Sequence, residues 1–120
     1  MPGTHRDLNA WREAMQLARL TYEFTGSFPK SEVFGLTTQM RRAAVSVPSN
    51  IAEGAARPGP KEFSYFLSIA VGSLAELETQ VEWARLLGLS HKTAEIEGKL
   101  KEVSRLVMRL RQSIRSRARP

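Results

Sequence analysis

The chain contains no cysteine among its 120 residues, which excludes disulfides, thiol nucleophiles and thiolate metal sites. No apolar run approaches the roughly 18 residues of a membrane-spanning helix, and the opening segment MPGTHRDLNAW lacks the apolar core of a secretory signal. We therefore expect a cytoplasmic protein. Its length fits one domain, and its 42% hydrophobic and 25% charged residues are ordinary for a globular fold.

Histidine is scarce, and the two copies, His5 and His91, cannot form a metal site by local spacing. The Glu-x-x-His pairs of di-iron bundles are missing, as are a phosphate-binding glycine loop and a nucleophile elbow. Glu76 and Glu78 would diverge on a helix because they are two residues apart. We expect no catalytic site, no metal and no cofactor, and hence a protein that is not an enzyme.

What the chain does have is an uneven excess of positive charge. Its net charge is +6, and residues 99–120 hold eight lysines and arginines against the single carboxylate of Glu102. The remainder of the chain is close to neutral. Asymmetry of this kind indicates a polyanionic partner, although it carries no information about the fold.

Apolar residues recur at spacings of three and four in four segments, which predicts four amphipathic helices. The segments are residues 8–24, a second from about 32–36 to 55, a third at 60–87 and a fourth from about 90 onward. The residues predicted to face the core are Leu8, Trp11, Met15, Ala18 and Tyr22 in the first helix, Leu36, Met40, Ala43 and Val47 in the second, Phe63, Leu67, Ala70, Leu74, Leu77, Val81 and Ala84 in the third, and Ile96, Leu100, Val103, Val107, Leu110 and Ile114 in the fourth.

Short polar joints separate these helices. The run Arg57-Pro58-Gly59-Pro60 is a turn signal, Gly88 is placed to end the third helix, and Ser90 is placed to cap the fourth. No segment alternates with a period of two, so no sheet is expected. The prediction is an all-α, antiparallel up-down-up-down four-helix bundle over residues 8–115, with a disordered N-terminus at 1–7 and a basic C-terminal tail at 116–120.

Pro48 lies inside the predicted second helix, within the segment RRAAVSVPSNIAEG that runs from Arg41 to Gly54. An interior proline removes a backbone hydrogen bond at a cost of about 3 kcal/mol, so a kink at Pro48 is predicted to be a structural requirement. A polar row on the same helix, Arg42, Ser46, Ser49 and Glu53, is predicted to form structural cross-links, with Glu78 and Arg57 as charge partners. A ligand site at the kink is the alternative. The full structural set is Arg42, Pro48, Asn50, Glu53, Gly54 and Glu78.

The segment from Arg41 to Gly54 occurs together with three other motifs: Asp7-Leu8 through Trp11, Phe63-x-x-Phe66-Leu67-x-Ile69-Ala70-x-Gly72-Ser73, and Glu76-Leu77-Glu78-x-Gln80. In this combination the chain resembles the four-helix-bundle proteins called 23S rRNA intervening-sequence proteins, over roughly residues 7–88. The accessory variability determinant proteins of diversity-generating retroelements look like relatives of that family. The resemblance implies a four-helix bundle, a pentameric ring, and nucleic acid or a reverse transcriptase as partner.

A second apolar row is predicted to point away from the core, on the first and third helices. Isolated exposed apolar residues are normal, but aligned rows on monomers are rare. The mid-helix Gly72 supports close contact with another backbone. We expect a homo-oligomer, with a pentamer implied by the resemblance, whose interface comprises Leu17, Phe24, Tyr65, Ile69, Gly72, Trp83 and Leu87.

The fourth helix and the tail carry the predicted nucleic-acid-binding residues: Lys101, Arg105, Arg109, Arg111, Arg115, Arg117 and Arg119. Arginine and lysine side chains supply sequence-independent affinity for phosphates. A merely solvated charged face is the alternative, and no aromatic residue is interleaved to stack on bases. The leading hypothesis is a non-enzymatic oligomer that binds RNA or DNA electrostatically. The second hypothesis is a protein-interaction scaffold in which these arginines serve solubility.

Overall fold

Four long helices form the fold. The computed structural model describes residues 5–118, and within that range no strand occurs. The helices are α1 (Asn9–Thr25), α2 (Thr38–Ala55), α3 (Pro60–Leu86) and α4 (Ala94–Ala118). Each helix packs against its neighbours in sequence, and α1 also packs against α4, which closes the bundle. The molecule is a rod of 50 × 19 × 19 Å. The all-α four-helix prediction is confirmed. The up-down-up-down order stays a prediction, and so does the kink at Pro48, which is buried within α2.

The two ends of the chain differ from the predicted domain boundaries. Residues 1–4 and 119–120 lie outside the described residues. His5–Asp7 form a short 3-10 helix, and the His5 ring lies edge-on to Trp11 with the ring centroids 5.0 Å apart. At the other end α4 continues to Ala118. Residues 116–118, predicted as tail, are therefore part of the last helix.

The connection between α3 and α4 is shaped by Gly88 and by the hydroxyl of Ser90. Gly88 adopts a φ of 72°, and its N–H donates to the Arg85 carbonyl while the Leu89 N–H donates to the Ala84 carbonyl. This is the Schellman arrangement that ends a helix at a glycine. Ser90 does not cap α4 as predicted, because α4 begins only at Ala94; the Ser90 hydroxyl instead accepts from the Lys92 N–H inside the loop.

Helix α2 begins later than its apolar pattern predicts. Lys30–Glu32 form a 3-10 turn and Val33–Thr37 a π-helical turn, so the α-helix proper starts at Thr38. Gly35 leaves the helical region with φ and ψ both at −113°. The Glu32 carboxylate accepts a hydrogen bond from the Leu36 N–H across this turn. The irregular stretch therefore places Leu36 against the core although regular helix has not yet begun.

Helix α1 is rotated relative to the prediction. Its buried face is Ala10, Ala14, Leu17, Leu20, Thr21 and Thr25, whereas Met15 and Tyr22, predicted to face inward, are 44% and 46% exposed. The threonines are buried at no polar cost because the Thr21 hydroxyl donates to the Leu17 carbonyl and the Thr25 hydroxyl to the Thr21 carbonyl, both at 2.8 Å. Leu17, assigned above to an oligomer interface, is fully buried inside the bundle, and that assignment is wrong.

This rotation predicts opposite stabilities for two neighbouring substitutions. Leu17→Ala should lower the free energy of unfolding by about 2–5 kcal/mol, because it empties a fully buried site. Met15→Ala should cost less than about 1 kcal/mol, since that side chain is half in solvent. Denaturant unfolding of the two variants at matched protein concentration measures the difference. Equal costs, or a larger cost for Met15→Ala, would contradict the observed face of α1.

Gly54 sets the spacing between α2 and α3. A Cβ atom at this position would lie 2.9 Å from both Phe63 Cδ1 and Phe66 Cβ, and 3.2 Å from the Phe63 carbonyl oxygen. Because the Phe66 Cβ and the Phe63 carbonyl belong to the rigid part of α3, a side chain here would push the two helices apart. The predicted structural role of Gly54 therefore has a steric cause.

Gly54→Ala is expected to lower the free energy of unfolding by about 1–3 kcal/mol, although alanine is the better helix former, because overpacking outweighs propensity. Gly98→Ala is the matched control: it also lies within a helix, and nothing lies within 4 Å of its added Cβ. That variant should gain up to about 1 kcal/mol. Thermal or denaturant unfolding distinguishes the two. A stabilised Gly54→Ala would show that α2 and α3 do not approach as closely as described.

The polar row on α2 faces α3 in part. The hydroxyls of Ser46 and Ser73 lie 2.8 Å apart, and the Asn50 amide donates to both the carbonyl and the hydroxyl of Ser46 at 2.8 and 2.9 Å. Glu53 pairs with Arg57 at 3.1 Å, one helical turn away. Only the Ser46–Ser73 contact joins two helices, as the sequence predicted; the contacts of Asn50 and Glu53 are made one turn away along the chain. The partly buried Ser46 and Asn50 therefore have protein partners and need no ligand, whereas Ser49 is exposed.

Arg42 and Glu78, the other pair proposed for this row, do not meet. Arg42 is exposed beside Tyr22, Arg41 and Val45 and has no ion pair within residues 5–118. Glu78 lines a groove between α3 and α4. The two side chains therefore lie in different parts of the surface.

Candidate nucleic-acid interface

Helix α4 carries seven of the 18 lysines and arginines of the chain on a frame of buried aliphatic residues. Ile96, Leu100, Val103, Val107 and Ile114 are all at most 3% exposed, which fixes the rotation of the helix. Its first turn is acidic, with Glu95 and Glu97, and its last turn is basic, with Arg115 and Arg117. This distribution stabilises the helix dipole at both ends. The sequence thus forms a helix here and presents its charged face outward.

Lys99 differs from the other cations of α4 because its charge is paired with carboxylates inside the bundle. Its ammonium group lies 2.7 Å from the Glu13 carboxylate on α1 and 2.8 Å from Glu102 on its own helix. The hydrogen bonds to Glu102 and then to Glu13 raise the pKa of Lys99 above its ordinary value. Lys99 therefore joins α4 to α1 and contributes little free charge.

Lys101, Arg105 and Arg109 follow one another at intervals of one turn along the outer side of α4. All three are exposed, and none has an ion pair among the described residues. Lys101 lies at the rim of a groove that also contains Glu78, Glu82 and Glu97, which neutralise part of its field. The positive surface consequently strengthens toward the C-terminal end of α4.

Arg111 and Arg115 turn toward α3. Arg111 Nη1 donates to the Ser68 hydroxyl at 3.4 Å, and Arg115 donates to the Ser64 hydroxyl from Nε at 3.2 Å and to the Ser68 hydroxyl from Nη2 at 3.5 Å. The sequence predicted both arginines but not the serines. Arg117 is exposed in the last turn, and Arg119 lies outside the described residues. We call Lys101, Arg105, Arg109, Arg111, Arg115 and Arg117 the basic surface.

A second notable surface lies on the exposed side of α3, and part of it borders the groove between α3 and α4. Tyr65 is 63% exposed, Trp83 54% and Leu87 53%, with Ile69 at the margin of exposure. Leu86, which the sequence analysis missed, is also exposed. We call the set Tyr65, Ile69, Gly72, Trp83, Leu86 and Leu87 the outer α3 face. Phe24, predicted as a further interface residue, is instead half-buried and packs edge-on against Phe28 with the ring centroids 5.4 Å apart.

Gly72 is open to solvent in the single chain. Nothing lies within 4 Å of the position that a Cβ atom would occupy. The packing within one chain therefore gives no steric reason for glycine in the middle of α3, in contrast to Gly54. A mid-helix glycine costs about 1 kcal/mol relative to alanine, so its presence on the outer α3 face is consistent with a contact outside the chain.

The groove between α3 and α4 reaches the basic surface at Lys101 and has a volume of about 810 Å³. It mixes apolar residues such as Trp83 and Leu86 with acidic and basic ones, and Arg85 at its edge pairs with Glu82. In the part of the chain that the structure covers, no cluster of three histidine or carboxylate side chains could hold a metal ion. None of the helices in this part has the length and apolar character of a membrane span.

Fold and surface together define an all-α, four-helix protein with a basic outer helix and an unpaired apolar face. A family model described as 23S rRNA-intervening sequence protein matches residues 6–109. The chain therefore belongs to the 23S rRNA-intervening sequence protein family. The search of curated proteins found no match. The matched region ends at Arg109, so the C-terminal part of the basic surface lies beyond it.

Proposed function

We propose that this protein is a non-enzymatic, homo-oligomeric bundle of the cytoplasm that binds RNA or DNA electrostatically through the basic surface. The observation that carries the proposal is the row of Lys101, Arg105 and Arg109, whose charges meet no carboxylate within ion-pair distance in residues 5–118. Such a row binds successive phosphates and gains affinity by releasing counterions. The binding is expected to have little base specificity.

The proposal includes assembly because α3 is apolar on more than its core-facing side. The outer α3 face would be covered if it packed against a second copy of the chain, which would remove its exposed apolar side chains from water. Several copies would also place several basic surfaces on one particle, so that their fields add and their binding becomes multivalent. A pentamer is the specific form that the resemblance implies.

The second candidate function is a protein-interaction scaffold without nucleic-acid binding. It is favoured by the same outer α3 face, on which Tyr65, Trp83 and Leu86 stand more than half exposed. Large exposed apolar patches on soluble proteins mark interaction sites. A reverse transcriptase, the protein partner implied by the resemblance, belongs to this candidate.

The two candidates respond differently to salt. Binding to a structured RNA, the first ligand to test because of the family's description, should weaken steeply as the salt concentration rises if phosphates are the target. A complex with a protein held by the outer α3 face should persist in high salt, because it depends on apolar burial. Salt-insensitive capture of a protein, together with no affinity for RNA or DNA, would favour the scaffold.

A further inference from the structure

Two arginines of α4 and two serines of α3 meet at the C-terminal end of the basic surface. The three hydrogen bonds between Arg111, Arg115, Ser64 and Ser68 are 3.2–3.5 Å long. Most of the N–H donors on both guanidinium groups therefore remain without a protein acceptor among the described residues, since each group has five. The serines are half-buried, which restricts their hydroxyls to the seam between the helices.

The contacts at this seam do not resemble those of a structural cross-link. Where the same helix is tied to α1, Lys99 contacts the carboxylates of Glu13 and Glu102 at 2.7 and 2.8 Å. Arg111 and Arg115 instead meet neutral hydroxyls at longer distances. They are also like charges one helical turn apart, an arrangement that destabilises a helix when no anion compensates it.

From this geometry we infer that Arg111, Arg115, Ser64 and Ser68 form a phosphate clamp, which holds one backbone phosphate of the nucleic acid that the proposed function assigns to α4. This inference rests on that function and adds a defined subsite to it. The arginines supply charge and N–H donors that fit phosphate oxygens. Each serine hydroxyl accepts from a guanidinium and keeps its own proton free to donate to a phosphate oxygen.

The position of the clamp supports a phosphate of a polymer over a free anion. Arg105 and Arg109 precede it on the same helix, exposed and unpaired within residues 5–118, although they lie on the outer side of α4 and the clamp on the side toward α3. A strand whose phosphate lies in the clamp would cross the surface of α4 to reach these further cations. Ser64 and Ser68 are then positioning residues, and the arginines contact the ligand.

The test compares three variants of the full chain in binding to a fluorescent single-stranded oligonucleotide and a duplex across a salt series. Arg111→Gln with Arg115→Gln should make the slope of log affinity against log salt shallower by roughly one, because the clamp neutralises one phosphate. Ser64→Ala with Ser68→Ala should weaken binding roughly 3- to 30-fold at an unchanged slope, because hydrogen bonds are lost but no charge is. Ser113→Ala with Ser116→Ala, two exposed serines at the same end of α4, should bind like the unmodified protein.

A second experiment distinguishes a backbone phosphate of a nucleic acid from free inorganic phosphate as the ligand. Thermal unfolding in inorganic phosphate is compared with chloride at equal ionic strength, for the unmodified chain and the Ser64/Ser68 variant. If oligonucleotide binds and the Ser64/Ser68 variant loses affinity while the Ser113/Ser116 control does not, the clamp is supported. If phosphate stabilises the unmodified chain alone and no oligonucleotide binds, the site serves free phosphate and the inference is overturned together with the proposed function.

Failure of the clamp alone has its own signature. In that case oligonucleotide binding is strong and falls with salt, but the Arg111/Arg115 and Ser64/Ser68 variants both behave like the unmodified protein. The proposed function would then stand on Lys101, Arg105 and Arg109, and the contacts at the seam would be structural only.

Discussion

Replacing Lys101, Arg105 and Arg109 with glutamine is expected to weaken nucleic-acid binding roughly 100-fold at about 0.15 M salt. The estimate follows from counterion release: each lost phosphate contact makes the slope of log affinity against log salt shallower by roughly 0.9, and so by roughly 2.7 for three. The fold should survive, because all three side chains are exposed and unpaired in the described chain. Fluorescence anisotropy with labelled RNA and duplex DNA measures the affinity and the slope together.

A charge-matched control decides whether position or net charge matters. Glutamine at Arg19, Lys30 and Lys92 removes three charges from α1, from the 3-10 turn at Lys30–Glu32 and from the loop before α4; all three side chains are exposed, and Arg19 pairs with Glu23. That variant should lose far less affinity. If the two triple variants weaken binding equally, the attraction is a property of overall charge, and α4 is not the binding surface.

Point substitution is the appropriate tool because deletion would damage the core. Val107 and Ile114, in the second half of α4, are at most 3% exposed. A chain shortened after Val103 would lose both, and with them much of the contact of α4 with its neighbours. Loss of binding on truncation would then report unfolding rather than a lost surface.

Ile69→Ala combined with Trp83→Ala is expected to dissociate the proposed oligomer at micromolar concentration. Central aromatic and aliphatic residues of an interface commonly cost 2 kcal/mol or more when truncated, which is about 30-fold or more in each dissociation constant. Because Ile69 is only 37% exposed, its truncation should also cost the single chain some stability, so denaturant unfolding of the variant is measured alongside. Sedimentation velocity over a concentration series reports the species present.

Met15→Ala is the matched control for that experiment, since Met15 is a similarly exposed apolar side chain on α1. It should leave the assembly unchanged. If the unmodified chain sediments as a monomer up to about 100 μM, a weak association by affinity standards, the assembly part of the proposal is wrong, and the outer α3 face is free for another protein.

Gly72 and Gly98 offer a separate test of the same face. A Cβ atom at either position meets nothing within 4 Å in the single chain, so alanine should stabilise both helices by up to about 1 kcal/mol. If another backbone approaches Gly72, as the proposed assembly requires, Gly72→Ala alone should also weaken association. Equal association of the two variants would show that Gly72 lies outside the contact.

The sequence predicted the core of α4 well because its buried apolar residues repeat along one face, and it predicted the core of α3 although exposed apolar residues occur on a second side of that helix. All of the residues assigned to the core of α4 are buried except Leu110, which is half-buried against it. The turn at Gly88 was also readable, because a positive φ requires glycine. In these segments local pattern and final packing agree.

For helix α1, the spacing of apolar residues did not predict the buried face correctly. Two stripes compete on it: one carries Met15 and Tyr22, and the other combines Leu17 and Leu20 with alanine and threonine. The second stripe is the buried one, although several of its members are small. Small side chains let α1 approach its neighbours closely, and threonine hydroxyls satisfy themselves on their own helix. Neither effect is visible in hydrophobic spacing alone.

The sequence was sufficient to predict the charged residues of the candidate site, but not the serines that they contact. A run of arginines is evident in any sequence, but Ser64 and Ser68 lie 43–51 positions away from the arginines that they contact. Only the packing of α3 against α4 brings them together. Serines on a helix surface are otherwise unremarkable, which is why no sequence signal distinguished these two.

The most direct test of the account is the affinity of the purified protein for a structured RNA and a matched duplex DNA, measured from low to high salt. The account predicts binding that persists at about 0.15 M salt and falls linearly in a logarithmic plot, with a slope that reflects several phosphate contacts. It also predicts that the Lys101, Arg105 and Arg109 variant flattens that slope. Absence of binding to either nucleic acid at the lowest salt concentration would contradict the account and leave the interaction scaffold as the function to pursue.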